Sequence, residues 1–377
     1  MATSTLLSAF IRETARELGF DEVGFAPATP PVRAEFLCEW LAAGYHAGMA
    51  WMARDPGRRI DPRVHFAGAV SVVSLAVNYH SPEPTATDSA TGRISRYARG
   101  DDYHEVLKGR LEELARRVRE RFPDVPARIA VDTSAILEKP LAQAAGVGWI
   151  GKNACLLVEG KGSWFFLGEI LVGAELPRDA PALDRCGSCR RCLDACPTGA
   201  FAAPYVLDSN RCLSYLTIEH RGPVARELRP LFGNRVFGCD DCQDVCPWNR
   251  FARPAAIAQF RPRPENIAPL LSDLLGLDDD AFRRRFRGSP VLRAKRDGFL
   301  RNVAIAAGNS GDRRLVAPLS RALGDTSALV RGHAAWALGR LGGAQAGEAL
   351  EIRLALEEDP WVHEEIELAL LAESRAG

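Results

Sequence analysis

Residues 186–201 read CGSCRRCLDACPTGAF, which sets Cys186, Cys189, Cys192 and Cys196 within eleven positions and Pro197 directly after the last. Residues 238–249, GCDDCQDVCPWN, repeat the ending but not the beginning. Cys239, Cys242, Cys246 and Pro247 match Cys189, Cys192, Cys196 and Pro197, while Val236 stands where Cys186 would be. Eight of the ten cysteines fall between 186 and 246. The N-terminal stretch MATSTLLSAFIRETARELGF spaces Leu6, Leu7, Phe10, Ile11, Ala15 and Leu18 as an amphipathic helix does, without a basic region leading into an apolar run. No later stretch approaches the ~18 apolar residues of a membrane span. A soluble, cytoplasmic protein is expected, and in that compartment thiols stay reduced, so clustered cysteines point to metal ligation rather than disulfides.

Three cysteines at gaps of two residues, a fourth after three more, and proline next is the spacing of bacterial ferredoxin 4Fe-4S binding. There, three thiolates take three irons of one cubane and the fourth serves the neighbouring cluster. A zinc site is the rival reading, but structural zinc is usually held by two separate C-x2-C pairs. Exchanging the fourth ligands gives the first cluster Cys186, Cys189, Cys192 and Cys246. The second takes Cys196, Cys239 and Cys242 and lacks a thiolate, because Val236 cannot ligate. Of the remaining Cys38, Cys155 and Cys212, the last lies between the two motifs in NRCLSYLTIEHRG and needs the smallest chain excursion, so it is the expected fourth ligand. Cys38 (FLCEWL) and Cys155 (NACLLV) read as small buried residues. Two such clusters form a one-electron relay, which requires a terminal acceptor elsewhere in the chain.

The 377 residues, 47% of them hydrophobic, allow several cores. The expected architecture is α+β and multi-domain, with an α/β domain over 1–178, a ferredoxin-like two-cluster domain over 179–255, a basic connecting segment over 256–298 and all-α HEAT-like repeats over 299–377. In the first, AVSVVSLAVNY (69–79) and SWFFLGEILVG (163–173) read as strands, ARIAVDTSAI (127–136) as strand into loop, and 105–122 as a helix burying Leu107, Leu111, Leu114 and Val118. In the last, FLRNVAIAAGNSG (299–311) and VRGHAAWALGRLG (330–342) align with Ala304, Gly308 and Gly311 over Ala335, Gly339 and Gly342, and a degenerate third unit starts near Trp361. Neither G-x-G-x-x-G nor G-x4-G-K-S/T occurs. GVGWIGKN (146–153) reads as a tight turn or a loop whose backbone approaches a ligand. DYHEVL (102–107) half matches a D-x-H-x-x-G cobalt-ligating loop, but Leu107 replaces the glycine, which excludes His104 as a ligand.

RYARGDDYH (96–104), VDTSAILEKPLAQAAGVGWIGKN (131–153), the first cysteine run, NRCLSYLTIEHRG (210–222) and GCDDCQDVCPWN in this order resemble the epoxyqueuosine reductase family over nearly the whole chain. The resemblance implies cobalamin, two 4Fe-4S clusters with Cys212 completing the second, a fold like that of reductive dehalogenases, and reduction of epoxyqueuosine to queuosine in the tRNA anticodon loop. It implies Asp132 as the proton donor, which requires burial to keep its carboxyl protonated at neutral pH. It places Arg96 to Arg99, Lys152 and Asn153 near cobalamin and Ser214 and Tyr215 between corrin and cluster, with Tyr97 as packing. The expected partners are tRNA and a low-potential electron donor, and the expected state is monomeric. Two other readings are a corrinoid dehalogenase-like enzyme acting on a small organohalide and an electron-transfer module that docks a partner through its repeats.

Formal net charge is zero, yet RRRFRGSPVLRAKRDGFLR (283–301) carries eight Arg or Lys against one Asp, and 348–377 carries nine acids against two arginines. Clustered cations are the footprint of phosphate contacts, so Arg284, Arg285, Arg293 and Lys295 are expected to grip the tRNA stem while the modified base turns into the α/β pocket.

Overall fold

The computed structural model describes residues 2–83 and 88–374, which form two compact units. The first comprises Met1–Pro82, Asp101–Asn210 and Asp240–Arg261; the second comprises Glu83–Gly100, Arg211–Cys239 and Pro262–Gly377. Both are discontinuous in sequence, whereas the segments expected from the sequence are consecutive.

The first unit is built on a four-stranded sheet of β1 (Glu22–Pro27), β2 (Ser71–Asn78), β3 (Ala127–Ala130) and β4 (Phe165–Val172), in the order β1-β2-β4-β3. All three pairings are antiparallel, which corrects the α/β expectation for this region. Alternating strand and helix signals identify the elements; they do not reveal the direction in which a long connection returns the chain. β2 is buried from Ser71 through Val77, as a central strand covered on both faces must be.

Helix α1 (Ala2–Glu17) turns Leu7, Ile11 and Ala15 inward and leaves Leu6 exposed. Helix α2 (Tyr103–Arg121), capped by Asp102, buries Leu107, Leu111, Leu114 and Val118 at the expected spacing. It reaches the sheet because Gly168 carries no side chain: a Cβ there would lie 2.7 Å from Leu111 Cδ1. Glu169 is the next residue and therefore faces the other side, where helix α3 (Glu138–Ala144) packs. The close approach on that side is at Gly24, whose Cβ would lie 2.0 Å from the Ala145 carbonyl oxygen. The register aligns Gly24, Ser74, Glu169 and Ala130 as one cross-strand row under α3. Cys38, expected to be buried, is exposed; its helix Ala34–Ala42 buries Ala34 and Leu37 instead.

In the second unit Arg93–Ile94 pairs parallel with Arg235–Phe237, and Val236 is fully buried against Gly92 and Leu271. The C-terminal region is the expected stack of helices: Lys295–Ser310, Ala328–Leu341 and Pro360–Ser374 pack in succession, with Val316–Ala322 and Ala344–Leu354 between them. The repeated glycines have equivalent duties. A Cβ on Gly308 would lie 2.8 Å from Ala337 Cα, and one on Gly339 would lie 2.7 Å from Ala369 Cα, so each lets its helix touch the next backbone. Gly311 and Gly342 follow their helices with φ of +69° and +62°, a conformation that favours glycine at a helix end.

Candidate active site and cluster centre

The turn after β3 carries Asp132 into a cluster of polar groups. His104, on the first turn of α2, lies between two carboxylates: its Nδ1 is 2.7 Å from Asp102 Oδ1 and its Nε2 is 2.8 Å from Asp132 Oδ2. Asp102 also accepts the His104 N–H, so one carboxylate caps the helix and orients the ring. Tyr103 donates its hydroxyl to Asp132 and stacks on Phe166 with a centroid distance of 4.3 Å and an interplanar angle of 4°. Asp132 does not cap its own turn; the Ser134 hydroxyl accepts the Val131 N–H instead.

The electrostatics correct the expectation that burial keeps Asp132 protonated. Its side chain is 48% exposed. Burial does oppose ionisation, but the His104 hydrogen bond and charge, the Tyr103 hydroxyl and Lys139 together outweigh it and hold the carboxyl below its usual range. Burial likewise works against charge on His104, and the two flanking carboxylates overcome it, pushing the imidazole up to about 9. At neutral pH the arrangement is a carboxylate–imidazolium–carboxylate row, and the transferable proton resides on His104 rather than on Asp132. Sequence reasoning considered His104 only as a metal ligand. Both ring nitrogens are engaged by carboxylates, which gives the residue a use other than metal ligation. The D-Y-H spacing was the available local signal; the pairing with Asp132, 28 residues away, was not local.

All four expected ligands of the first cluster lie in the first unit. The two motifs form the same local structure there, short helices Arg191–Asp194 and Asp241–Asp244 that pack on each other. The Cys246 and Cys192 thiols are both pushed up, first by burial and then by neighbouring cysteines: Cys192 by Cys246 and Cys186, and Cys246 by Cys186 and Cys189. The thiols of the two cysteine motifs thus influence one another within the first unit. Of the second set, Cys196 and Cys242 belong to the first unit and Cys212 and Cys239 to the second. Cys212 stands at the N-terminal boundary of helix Leu213–Ile218, and that helix is tied to the strand before Cys239: the Thr217 hydroxyl accepts the Gly238 N–H at 2.8 Å, and Asn302 donates to the Thr217 and Val236 carbonyls. Val236 therefore occupies its position as core, not as a degraded ligand. Cys155 is only partly buried, and its thiol is hydrogen-bonded to Cys242, so it is not the plain core residue expected.

GVGWIGKN forms a narrow hairpin in which a Cβ on Gly148 would lie 2.3 Å from the Leu157 carbonyl oxygen. Lys152 and Asn153 turn toward the cysteine loops. The Lys152 ammonium donates to the Gly187 and Cys189 carbonyls, and the Asn153 amide to that of Cys242. In the second unit Arg96 is partly buried and Ser214 and Tyr215 are half-buried, whereas Arg99 is 1% exposed and donates to the Ile94 carbonyl. That burial removes Arg99 from the expected cofactor contacts. Tyr97 packs on Phe237, as expected. Of the expected RNA contacts, Arg284 and Lys295 are exposed, Arg285 donates to the Glu265 carbonyl, and Arg293 is paired with Glu219. Arg301 is wholly buried, donating to the carbonyls of Leu216, His220 and Gly222, so it does not belong to the basic surface.

Three family models match the chain: "Epoxyqueuosine reductase QueG, DUF1730" over residues 59–133, "4Fe-4S double cluster binding domain" over 185–249 and "HEAT repeats" over 290–371. The epoxyqueuosine reductase of Xanthomonas campestris is 42% identical, with 89% of this chain and 96% of that one aligned, and that of Pseudomonas aeruginosa is 44% identical over 89% and 95%. A crystal structure of epoxyqueuosine reductase with a tRNA-Tyr epoxyqueuosine-modified tRNA stem loop superposes with a TM-score of 0.92 at 31% identity, covering 98% of this chain and 100% of that one. With relatives of that name aligned over most of both chains, the chain belongs to the epoxyqueuosine reductase family.

Proposed function

We propose that the chain reduces epoxyqueuosine to queuosine in tRNA, the reaction for which its relatives are named, with two 4Fe-4S clusters and cobalamin as resident groups. The observation that carries this reading is the row Asp102–His104–Asp132, which holds a transferable proton beside a half-exposed carboxylate. A corrin held without a histidine from this motif fits that arrangement. Cobalamin bound here supplies low-potential electrons, and the protein supplies orientation and protons.

Removing the epoxide oxygen as water takes two electrons and two protons. A proton at His104 Nε2 passes to Asp132 Oδ2 and from the half-exposed carboxyl to the departing oxygen, while Asp102 holds the ring and Tyr103 fixes the second carboxylate. Solvent access to Asp132 allows the group to be reprotonated for the second transfer. The hairpin at Lys152 and Asn153 steadies the cysteine loops, and Arg96, Ser214 and Tyr215 are proposed cofactor contacts. Cys186, Cys189, Cys192 and Cys246 are assigned to one cluster, and Cys196, Cys212, Cys239 and Cys242 to the other. Arg284 and Lys295 are the proposed phosphate contacts, with a low-potential donor refilling the clusters of a cytoplasmic monomer. The test is metal content and turnover together. Reconstituted protein should hold about eight irons and one cobalt and convert modified stem-loop RNA. Failure to retain cobalt, with both clusters present, excludes the corrinoid route.

A further inference from the structure

Asp132 is one of the few non-glycine residues with positive φ, at +21°. Such a conformation is strained and persists only where surrounding contacts impose it. The contact here comes from Glu138, six residues on, in the first turn of α3: its Oε1 accepts the Asp132 N–H at 2.6 Å. The turn 131–137 is thereby closed on itself, with β3 at one end and α3 at the other.

Glu138 does not face solvent charge alone. It is surrounded by Asp132 from the turn, Lys139 on its own helix and His104 from α2, and it interacts with Glu169 on β4. Burial and the charge of Asp132 push its carboxyl up to about 8, against the pull of the Asp132 amide, Lys139 and His104. Glu169 behind it is fully buried and also raised by burial and by Glu138; Ser74 donates to its Oε1, while Oε2 has no hydrogen-bond partner among the described residues. The proposed proton transfer uses neither of these carboxyls, yet one of them accepts the backbone N–H of Asp132.

We propose that Glu138 is a positioning residue: it latches the Asp132 turn in its reactive conformation by accepting the Asp132 N–H at Oε1. The inference rests on the reading of Asp132 as part of the acid site. A neutral acceptor satisfies the amide without placing a second anion beside Asp132, and the apolar side of α3 together with Glu169 favours that neutral form. Ionisation of Glu138 introduces the repulsion, so the turn opens more readily as pH rises.

The latch is tested on protein loaded with both clusters and cobalamin by amide hydrogen exchange of residues 131–137, together with kcat and KM for a modified stem-loop between pH 6 and 9. Glu138→Ala should speed exchange in this turn by about five- to tenfold, the effect of one lost hydrogen bond. It should also lower kcat more than it raises KM. Glu138→Gln keeps the acceptor without the charge and should restore both, with exchange less sensitive to pH than in the parent. Normal exchange and kcat in Glu138→Ala overturn the proposal, as does Glu138→Gln behaving like Glu138→Ala. Exchange is read without substrate, so it fails or succeeds independently of the assigned reaction. Should Glu138→Ala not fold, Glu138→Gln against the parent still decides through the pH dependence of exchange.

Discussion

Replacing His104 with glutamine keeps a hydrogen-bond donor beside Asp132 and removes the proton that the site can transfer. The imidazole is pushed from its ordinary 6.5 up to about 9 by the two carboxylates that flank it. A rise of that size corresponds to about 3 kcal/mol of preference for the imidazolium. Because the Asp132 side chain is half exposed, solvent screening reduces this to about 2 kcal/mol. The sign follows from the raised value: the stabilisation is complete below about 6.5 and is lost as pH rises through about 9. Single-turnover conversion of a modified stem-loop by pre-reduced protein should show the same alkaline fall, since the imidazolium is the proton source. In His104→Gln the rate should drop by about 10²- to 10³-fold, the usual contribution of a positioned general acid, and the descent near pH 9 should vanish. A variant that keeps both the parent rate and that descent would refute the assignment of the proton to His104.

Cys246→Ser should alter the spectrum of one cluster and Cys212→Ser that of the other, as read by electron paramagnetic resonance of the reduced protein; one variant disturbing both equally contradicts the partition. Gly308→Ala should destabilise the repeat region by about 1–3 kcal/mol through overpacking, because its Cβ would lie 2.8 Å from Ala337 Cα, and an unchanged melting curve would disprove the close contact. Burial and then Glu138 raise the Glu169 carboxyl well above its ordinary range, so it makes stability fall as pH rises above that range. Glu169→Gln should lessen the difference in melting temperature between pH 5.5 and 8, and an unaltered difference counts against the raised carboxyl. Neutralising Arg284 and Lys295 should weaken stem-loop binding and flatten its salt dependence, whereas a further change at Arg293, already paired with Glu219, should add little.

What could be read from the chain was whatever the chain encodes locally. The cysteine spacing, the buried run at Ser71–Val77, the Leu107–Val118 face and the glycines at an offset of one repeat all lie within a few helical turns of themselves, and each has its expected form. The direction of the sheet strands depends on connections dozens of residues long, and there the α/β expectation failed. Side-chain destinations were equally hidden. Arg301 and Arg284 look alike in a basic run, yet the first fills the core with three carbonyls around it and the second lies in solvent. Lys152 stands beside glycines like a ligand-loop lysine, but its ammonium holds the loop of Cys186 and Cys189. Resemblance points to Asp132, while its ionisation is set by burial and, against it, chiefly by His104, 28 residues away.

The proposed route reduces the epoxide with a proton delivered through Asp132. The most direct measurement is mass-spectrometric analysis of nucleosides from epoxyqueuosine-containing stem-loop RNA after a single turnover, with the parent protein and Asp132→Asn both reconstituted to full iron and cobalt. The account predicts queuosine from the parent and little or none from Asp132→Asn at equal metal content. Equal conversion by the two proteins, or none by a fully loaded parent, would contradict it.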